Sequence, residues 1–120
     1  MAFAKLGVVV LDCPDPLALA EFYAAVIGGT PTPADEGWVD LTGHGGTALA
    51  FQEAPGYVPP KWPAPDGSQQ FHLDLTVEDM DAAEQQALAL GATVLDAADR
   101  DRNWRVYADP AGHPFCLCAC

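Results

Sequence analysis

The two halves of this 120-residue chain carry the same order of predicted elements. In each half an apolar strand precedes a helix, and short strands follow. The residue that begins the first helix, Asp15, lies 64 positions before Asp79, which begins the second, and at that offset Val8 corresponds to His72. An internal duplication of a strand–helix–three-strand module is the simplest explanation. A chain of this length then forms one domain built from two half-size modules.

Local signals place the elements of the first half. Residues 5–13 are an apolar run of strand length, which predicts a mostly buried strand. Asp15 followed by Pro16 is typical of a helix start, because aspartate accepts backbone N–H groups and proline has a suitable φ. Gly28 indicates the end of that helix. Two glycine-separated segments then predict a hairpin: residues 37–42 and 46–53.

The second half repeats these signals. Residues 70–77 alternate apolar and polar side chains, which predicts a strand whose polar face carries His72, Asp74 and Thr76. A helix is expected between Asp79 and Gly91. Three strands are then predicted at residues 93–96, 104–108 and 114–119.

A proline-rich segment separates the two halves. Five of the eleven prolines fall within residues 54–68, which excludes a central strand or helix there and predicts a long ordered loop or lid. The predicted organisation is a single domain over residues 1–120, in three parts: module 1 at about 5–54, the lid at 55–69 and module 2 at about 70–119.

The charge excludes some classes of partner. Five Lys and Arg against 17 Asp and Glu give a formal net charge of −12. Nucleic-acid-binding proteins and proteins that bind anionic membranes need clustered basic residues, so neither partner is expected. No apolar run reaches the roughly 20 residues of a membrane span, and the start lacks the pattern of a signal peptide. A cytoplasmic location with reduced cysteines is the expectation.

Four motifs carry a resemblance to a known family: LDCPDP, EFYAAVIG, HLDLTVEDMDAA and ADPAGHPFCLC. With the repeated βαβββ order, they resemble the vicinal oxygen chelate superfamily, and more narrowly its glyoxalase-like and bleomycin-resistance-like domains. The resemblance implies an α+β fold in which two βαβββ modules form a cup-shaped mixed sheet, with the helices on the outer face and the ligand inside. It also implies a homodimer.

Catalytic members of this superfamily bind a divalent metal through His and Glu or Gln side chains from four strands. The resemblance places those positions at Val8, Ala50, His72 and Cys116, of which only His72 is a standard ligand. The usual cage is therefore missing, and we predict no cofactor. The alternative is a Zn or Cu(I) site formed by His72, Cys116 and Cys118, which competes with the interpretation of these cysteines as small apolar side chains.

Several side chains are candidates for ligand contacts. His72 and Asp74 share a strand face, although we expect no direct hydrogen bond between residues two apart on a strand. Trp62 in the lid suits an aromatic ligand, whereas Trp38 and Trp104 suit either a ligand or packing. The candidate contacts are Gln52, Trp62, His72, Asp74, Cys116, Trp38 and Tyr57.

Two charged runs have ordinary interpretations. Asp79, Asp81 and Glu84 are expected to form a solvated helix face. The arginines in residues 100–105 fit either an anionic ligand group or compensation by Asp99 and Asp101.

Two functions remain open. One is a small-molecule binding protein of the glyoxalase/bleomycin-resistance type that lacks the usual metal site and holds a cationic or aromatic compound. The other is an enzyme, a lyase or isomerase of glyoxalase type or a dioxygenase-like protein, with an altered metal site or with His72 as general base. We predict the binding function, because it needs no catalytic groups and because Val8 and Ala50 supply no metal ligands for the enzyme.

Overall fold

The computed structural model describes residues 2–68 and 71–119. The chain divides into two units, the first ending at Tyr57 and the second beginning at Val58. Each unit contains one helix and an open four-stranded mixed sheet. The predicted α+β fold with two βαβββ modules is confirmed.

The first unit has the element order β1 (Val8–Cys13), α1 (Pro16–Ile27), β2 (Thr30–Pro33), β3 (Trp38–Thr42) and β4 (Ala48–Glu53). Its strands lie in the order β1-β4-β3-β2, with β1 parallel to β4 and the other pairs antiparallel. The prediction of a mostly buried first strand is wrong. The β1 side chains alternate between exposed and covered, and Cys13 is its one buried residue, because β1 is an edge strand with one covered face.

Helix α1 begins and ends as predicted. The Asp15 side chain accepts a hydrogen bond from the Ala18 backbone N–H at 3.2 Å, and Gly28 caps the other end. Four side chains are buried on its inner face: Leu19, Ala20, Phe22 and Tyr23. The third strand that the repeat requires in this half is β2, whose two prolines are tolerated because β2 is the opposite edge of the sheet.

The second unit has the element order β5 (Leu73–Thr76), α2 (Met80–Ala89), β6 (Thr93–Asp96), β7 (Trp104–Ala108) and β8 (Pro114–Cys118). Its sheet order, β5-β8-β7-β6, repeats that of the first unit. β5 is shorter than predicted, so His72 lies just before the strand. Gln69 and Gln70, predicted at the lid end and the strand start, lie outside the described residues.

Strand pairing supports the internal duplication. In each unit the first strand is parallel to the last, and the third is antiparallel to it. The corresponding pairs are Val10–Ala50 with Asp74–Cys116, and Trp38–Gln52 with Trp104–Cys118. The repeat therefore assigns each site residue of one unit an equivalent in the other.

Helix α2 is held differently from α1, because Ala87 is its one buried residue. Beneath it, the Arg105 side chain on β7 is 4% exposed and donates to Asp81 at 2.9 Å. Glu84, 12% exposed, accepts a 2.7 Å hydrogen bond from the Tyr107 hydroxyl, also on β7. An ionic and hydrogen-bonded network thus takes the place of the apolar contacts that hold α1.

The network corrects the interpretation of the acidic run as a solvated helix face. Asp79 caps α2 through the Ala82 N–H at 3.0 Å, and Asp81 is exposed, but Glu84 is largely buried. Its pKa is lowered, first by the hydrogen bond from Arg100 and then by that from Tyr107.

Neither described helix has the length and apolar character needed to cross a membrane.

Candidate functional site

A cavity of about 360 Å³ lies within the second unit. Side chains alternate across β7, so Arg105 and Tyr107 reach α2 while Trp104 and Val106 lie on the opposite face. Cys116 and Cys118 of β8 pair in register with Val106 and Trp104. The cavity is lined by Trp62, His72, Asp74, Asn103, Trp104, Cys116 and Cys118.

Trp62 links the proline-rich segment to this cavity. Its ring packs on the buried cluster of Val106, Cys116 and Cys118. The same ring stacks on the His72 imidazole, with centroids 4.9 Å apart and planes inclined by 21°. A residue predicted in the lid therefore forms part of the cavity wall.

His72 and Asp74 form a direct contact, against the prediction. The His72 Nε2 atom lies 3.1 Å from an Asp74 carboxylate oxygen. Residues two apart on an extended strand have Cα atoms about 6.6–7 Å apart. His72, however, precedes β5, and its side chain reaches the Asp74 carboxylate. The side chains are 32% and 60% exposed, so the pair is open to solvent.

Cys116, the register partner of Asp74 on β8, is buried. Burial raises the pKa of its thiol to about 11, and the Asp74 carboxylate adds to the rise. The thiol is therefore protonated at neutral pH when no cation neutralises the site. The ligand atoms of His72, Asp74 and Cys116 all lie within 4.8 Å of one another. Among the described residues this group includes Asp74 and does not include Cys118, the third member of the predicted metal set.

The arginines are compensated by carboxylates other than the predicted Asp99 and Asp101, and their binding of an anionic ligand group stays a prediction. Arg102 lies over the Trp104 ring, 3.6 Å from its centroid, and is paired with Asp96 at 3.3 Å. Arg100 pairs with Glu84, as does Arg105. The arginines thus position a cavity wall and α2, and their partners come from outside the loop.

The remaining candidates lie in the first unit. Trp38 and Gln52 line a cavity of about 640 Å³ there, together with Asp35, Glu36, Glu53, Ala34 and Gly37. The Trp38 indole donates to Asp40 at 3.0 Å. Tyr57 ends the unit and lines neither cavity, and its predicted role as a ligand contact stays a prediction.

The residues do not fit the metal cage that the resemblance implies. Val8 and Ala50, at two of its four positions, have no atom that can bind a cation. Their unit instead carries apolar side chains where the second unit has donors, as the equivalence of Val10–Ala50 and Asp74–Cys116 shows. We therefore derive no chemistry from that cage.

Sequence reasoning missed one residue of the second cavity and left the role of another open. Asn103 lines it but was not singled out, and the sequence carries no signal for its role. Trp104 was left open between packing and ligand contact. Its equivalence to Trp38 at the start of the third strand of each module was the available signal.

Comparison with solved structures finds the same fold in several proteins. A glyoxalase/bleomycin resistance protein/dioxygenase family enzyme from Burkholderia phytofirmans is 20% identical, with a TM-score of 0.73 over 95% of this chain and 97% of that chain. A glyoxalase-related enzyme from Fulvimarina pelagi is 21% identical, with a TM-score of 0.68 over 97% and 88% of the respective chains.

A third structure was determined with a metal. It is a variant of the fosfomycin resistance protein FosX from Listeria monocytogenes complexed with Mn(II) and 1S,2S-dihydroxypropylphosphonic acid. It is 14% identical, with a TM-score of 0.69 over 99% of this chain and 91% of that chain. Similarity at these identities shows the fold alone.

The family follows from the sequence comparison. A search of curated proteins finds no match. The model of the glyoxalase-like domain family, however, matches residues 8–118, which include both units from β1 to the end of β8. The chain therefore belongs to the glyoxalase-like domain family, within the vicinal oxygen chelate superfamily.

Proposed function

We propose that this protein binds a small aromatic or cationic molecule in the cavity of the second unit. The observation that carries the proposal is the combination of two indole rings with one exposed carboxylate around a single cavity: Trp62, Trp104 and Asp74. Its volume of about 360 Å³ lies within the roughly 300–1,000 Å³ of typical small-molecule sites. Aromatic walls favour flat ligands, and the carboxylate favours a positive charge.

The position of Arg102 indicates which wall of the cavity attracts a cationic ligand more strongly. Its guanidinium already occupies a place over the Trp104 ring, and Arg102 is not part of the cavity lining. A cationic ligand would therefore gain more from Trp62 and Asp74 than from Trp104, because one cation near a ring weakens its attraction for a second. Trp104 supplies apolar area.

Calorimetric titration of a panel of cationic aromatic compounds, with neutral analogues of the same shape, tests this proposal. Saturable binding at one ligand per chain is expected, and Asp74→Asn should weaken binding of the cationic members about tenfold, or 1.4 kcal/mol. Asp66→Asn is the matched control, because Asp66 is exposed in the same unit but outside the cavity lining. Absence of saturable binding across the panel would contradict the proposal.

The second candidate is an enzyme that uses His72 as general base. It is favoured by the 3.1 Å contact with Asp74, since a carboxylate can hold an imidazole in one orientation and stabilise its protonated form. A lyase or isomerase of glyoxalase type would need such a base beside a bound carbonyl compound. If a substrate is found, His72→Ala should abolish its turnover, and unchanged turnover would exclude this candidate.

The single-domain organisation, the homodimer and the cytoplasmic location also stand as proposals. Self-association is supported by exposed apolar side chains of the second unit: Leu88, Leu90, Val94 and Leu95. Light scattering of the purified chain should give twice the mass of 12.6 kDa. A monomer at micromolar concentration would refute the dimer.

A further inference from the structure

Three different donor atoms converge at one edge of the second unit. Asp74 and Cys116 are register partners on the parallel strands β5 and β8, and His72 lies immediately before β5. All three ligand atoms lie within 4.8 Å of one another. In a tetrahedral zinc site, metal–ligand bonds of about 2.0–2.3 Å put neighbouring donors about 3.3–3.8 Å apart. Side-chain adjustments of about 1 Å would therefore bring the three atoms around one ion.

The fold itself does not require these donors. The first unit has the same topology and the same strand pairing, yet the equivalents of Asp74 and Cys116 are Val10 and Ala50. Apolar side chains thus satisfy the backbone arrangement equally well. The polar group in the second unit calls for an explanation beyond strand packing.

The donor chemistry selects the metal. A thiolate, an imidazole and a carboxylate are the three ligand types that Zn²⁺ combines, whereas Mn²⁺ and Mg²⁺ prefer oxygen ligands and bind such sites more weakly. Three protein ligands leave a fourth position open, as in zinc sites that also bind a small molecule. Asp74 and His72 are exposed and border the cavity, which supplies the path of entry.

We propose that His72, Asp74 and Cys116 bind Zn²⁺ as a three-ligand site within the second unit, with the fourth position directed to the cavity. His72 and Cys116 are at two of the four positions of the family cage. The proposed site differs from that cage because Asp74 is its third ligand and because it takes no ligand from the first unit. The proposal goes beyond ligand binding and requires no organic ligand.

Metal titration of the reduced, tag-free full chain after treatment with a chelator tests the site. Co²⁺ should bind at one ion per chain and give the near-ultraviolet absorption of a thiolate–cobalt bond. Zn²⁺ should displace it, and Mn²⁺ at the same concentration should not. No cobalt–thiolate absorption, or displacement by Mn²⁺ as effective as by Zn²⁺, would overturn the proposal.

One buried cysteine in each unit, Cys116 and Cys13, provides a matched pair of variants. Cys116→Ser should remove the cobalt–thiolate absorption and weaken Zn²⁺ binding more than about 100-fold, beyond the range for loss of an outer-sphere partner. Cys13→Ser should leave both unchanged, because Cys13 is also buried but lies in the first unit, outside the donor group and the cavity lining. The reverse pattern, or equal loss in both variants, would refute the assignment.

A variant at an exposed zinc ligand separates loss of metal binding from loss of folding. Cys116 is buried, so its variant could unfold, whereas Asp74 is 60% exposed and Asp74→Asn preserves its shape. Asp74→Asn should weaken Zn²⁺ binding at least about tenfold with an unchanged circular dichroism spectrum. Unchanged zinc affinity in that folded variant would contradict the site. These titrations contain no organic compound, so their failure leaves the proposed ligand binding intact.

Discussion

Replacement of Glu84 by glutamine tests how α2 is held against the sheet that carries the cavity. The carboxylate accepts from Tyr107 at 2.7 Å and from Arg100 at 3.1 Å, and its second oxygen lies 3.7 Å from the buried Arg105 guanidinium. Glutamine keeps one oxygen acceptor but places an NH₂ group or a neutral oxygen beside Arg105. The helix keeps its length and its caps.

The expected loss in the free energy of unfolding follows from the burial of each carboxylate. Hydrogen bonds to charged groups contribute about 1.5–3 kcal/mol, and loss of one partner of a buried ion pair costs about 3–5 kcal/mol. Arg105 would keep Asp81 as a partner, so we expect Glu84→Gln to cost about 2–3 kcal/mol. Asp81 is 81% exposed, and water can replace it. Asp81→Asn should cost about 1 kcal/mol or less, although its contact with Arg105 is the shorter one.

Urea unfolding followed by circular dichroism at pH 7 measures both variants against the native chain. The pKa of Glu84 is lowered in the folded state, so its contribution is present above its ordinary value of 4.5 and is lost as the pH falls through the folded value. The difference between the native chain and Glu84→Gln should therefore shrink below pH 4.5. A larger cost for Asp81→Asn than for Glu84→Gln would refute the reasoning from burial.

Three further predictions concern single side chains. Trp62→Ala should weaken ligand binding at least about tenfold in calorimetry, whereas Trp62→Phe should retain most of the affinity because it keeps a flat ring. Gly29→Ala should cost at least about 1 kcal/mol more in urea unfolding than Gly28→Ala, since both have positive φ but a Cβ at Gly29 would lie 2.5 Å from a backbone oxygen. The pKa of Tyr107 is raised to about 12, chiefly by burial, so stability should fall as the pH rises from 10 toward 12, and Tyr107→Phe should reduce that fall.

The fold was predictable because its signals are local and occur twice. The Asp15 and Asp79 caps, the glycines after each helix and the alternation around Asp74 each depend on neighbouring residues. Their repetition gave the correspondence that strand pairing then confirmed. The bounds of β2 were not predicted, because prolines are unfavourable in most strands. They are tolerated in β2 because it is an edge strand.

The site was predictable in part. His72, Asp74 and Cys116 were identified from strand alternation and from the resemblance, but their convergence depends on the pairing of β5 with β8, which joins residues over 40 positions apart. The role of Glu84 was missed for a similar reason. Its burial depends on Arg105 and Tyr107, which a helix-face pattern does not reveal.

The central claim, a ligand site in the second unit, is tested most directly by the indole N–H signals in a ¹⁵N–¹H NMR titration. The chain has three tryptophans, of which Trp62 and Trp104 line the cavity of the second unit and Trp38 that of the first. A compound that binds in the calorimetric panel should shift the Trp62 and Trp104 signals in proportion to occupancy. Shifts confined to Trp38 would contradict the account.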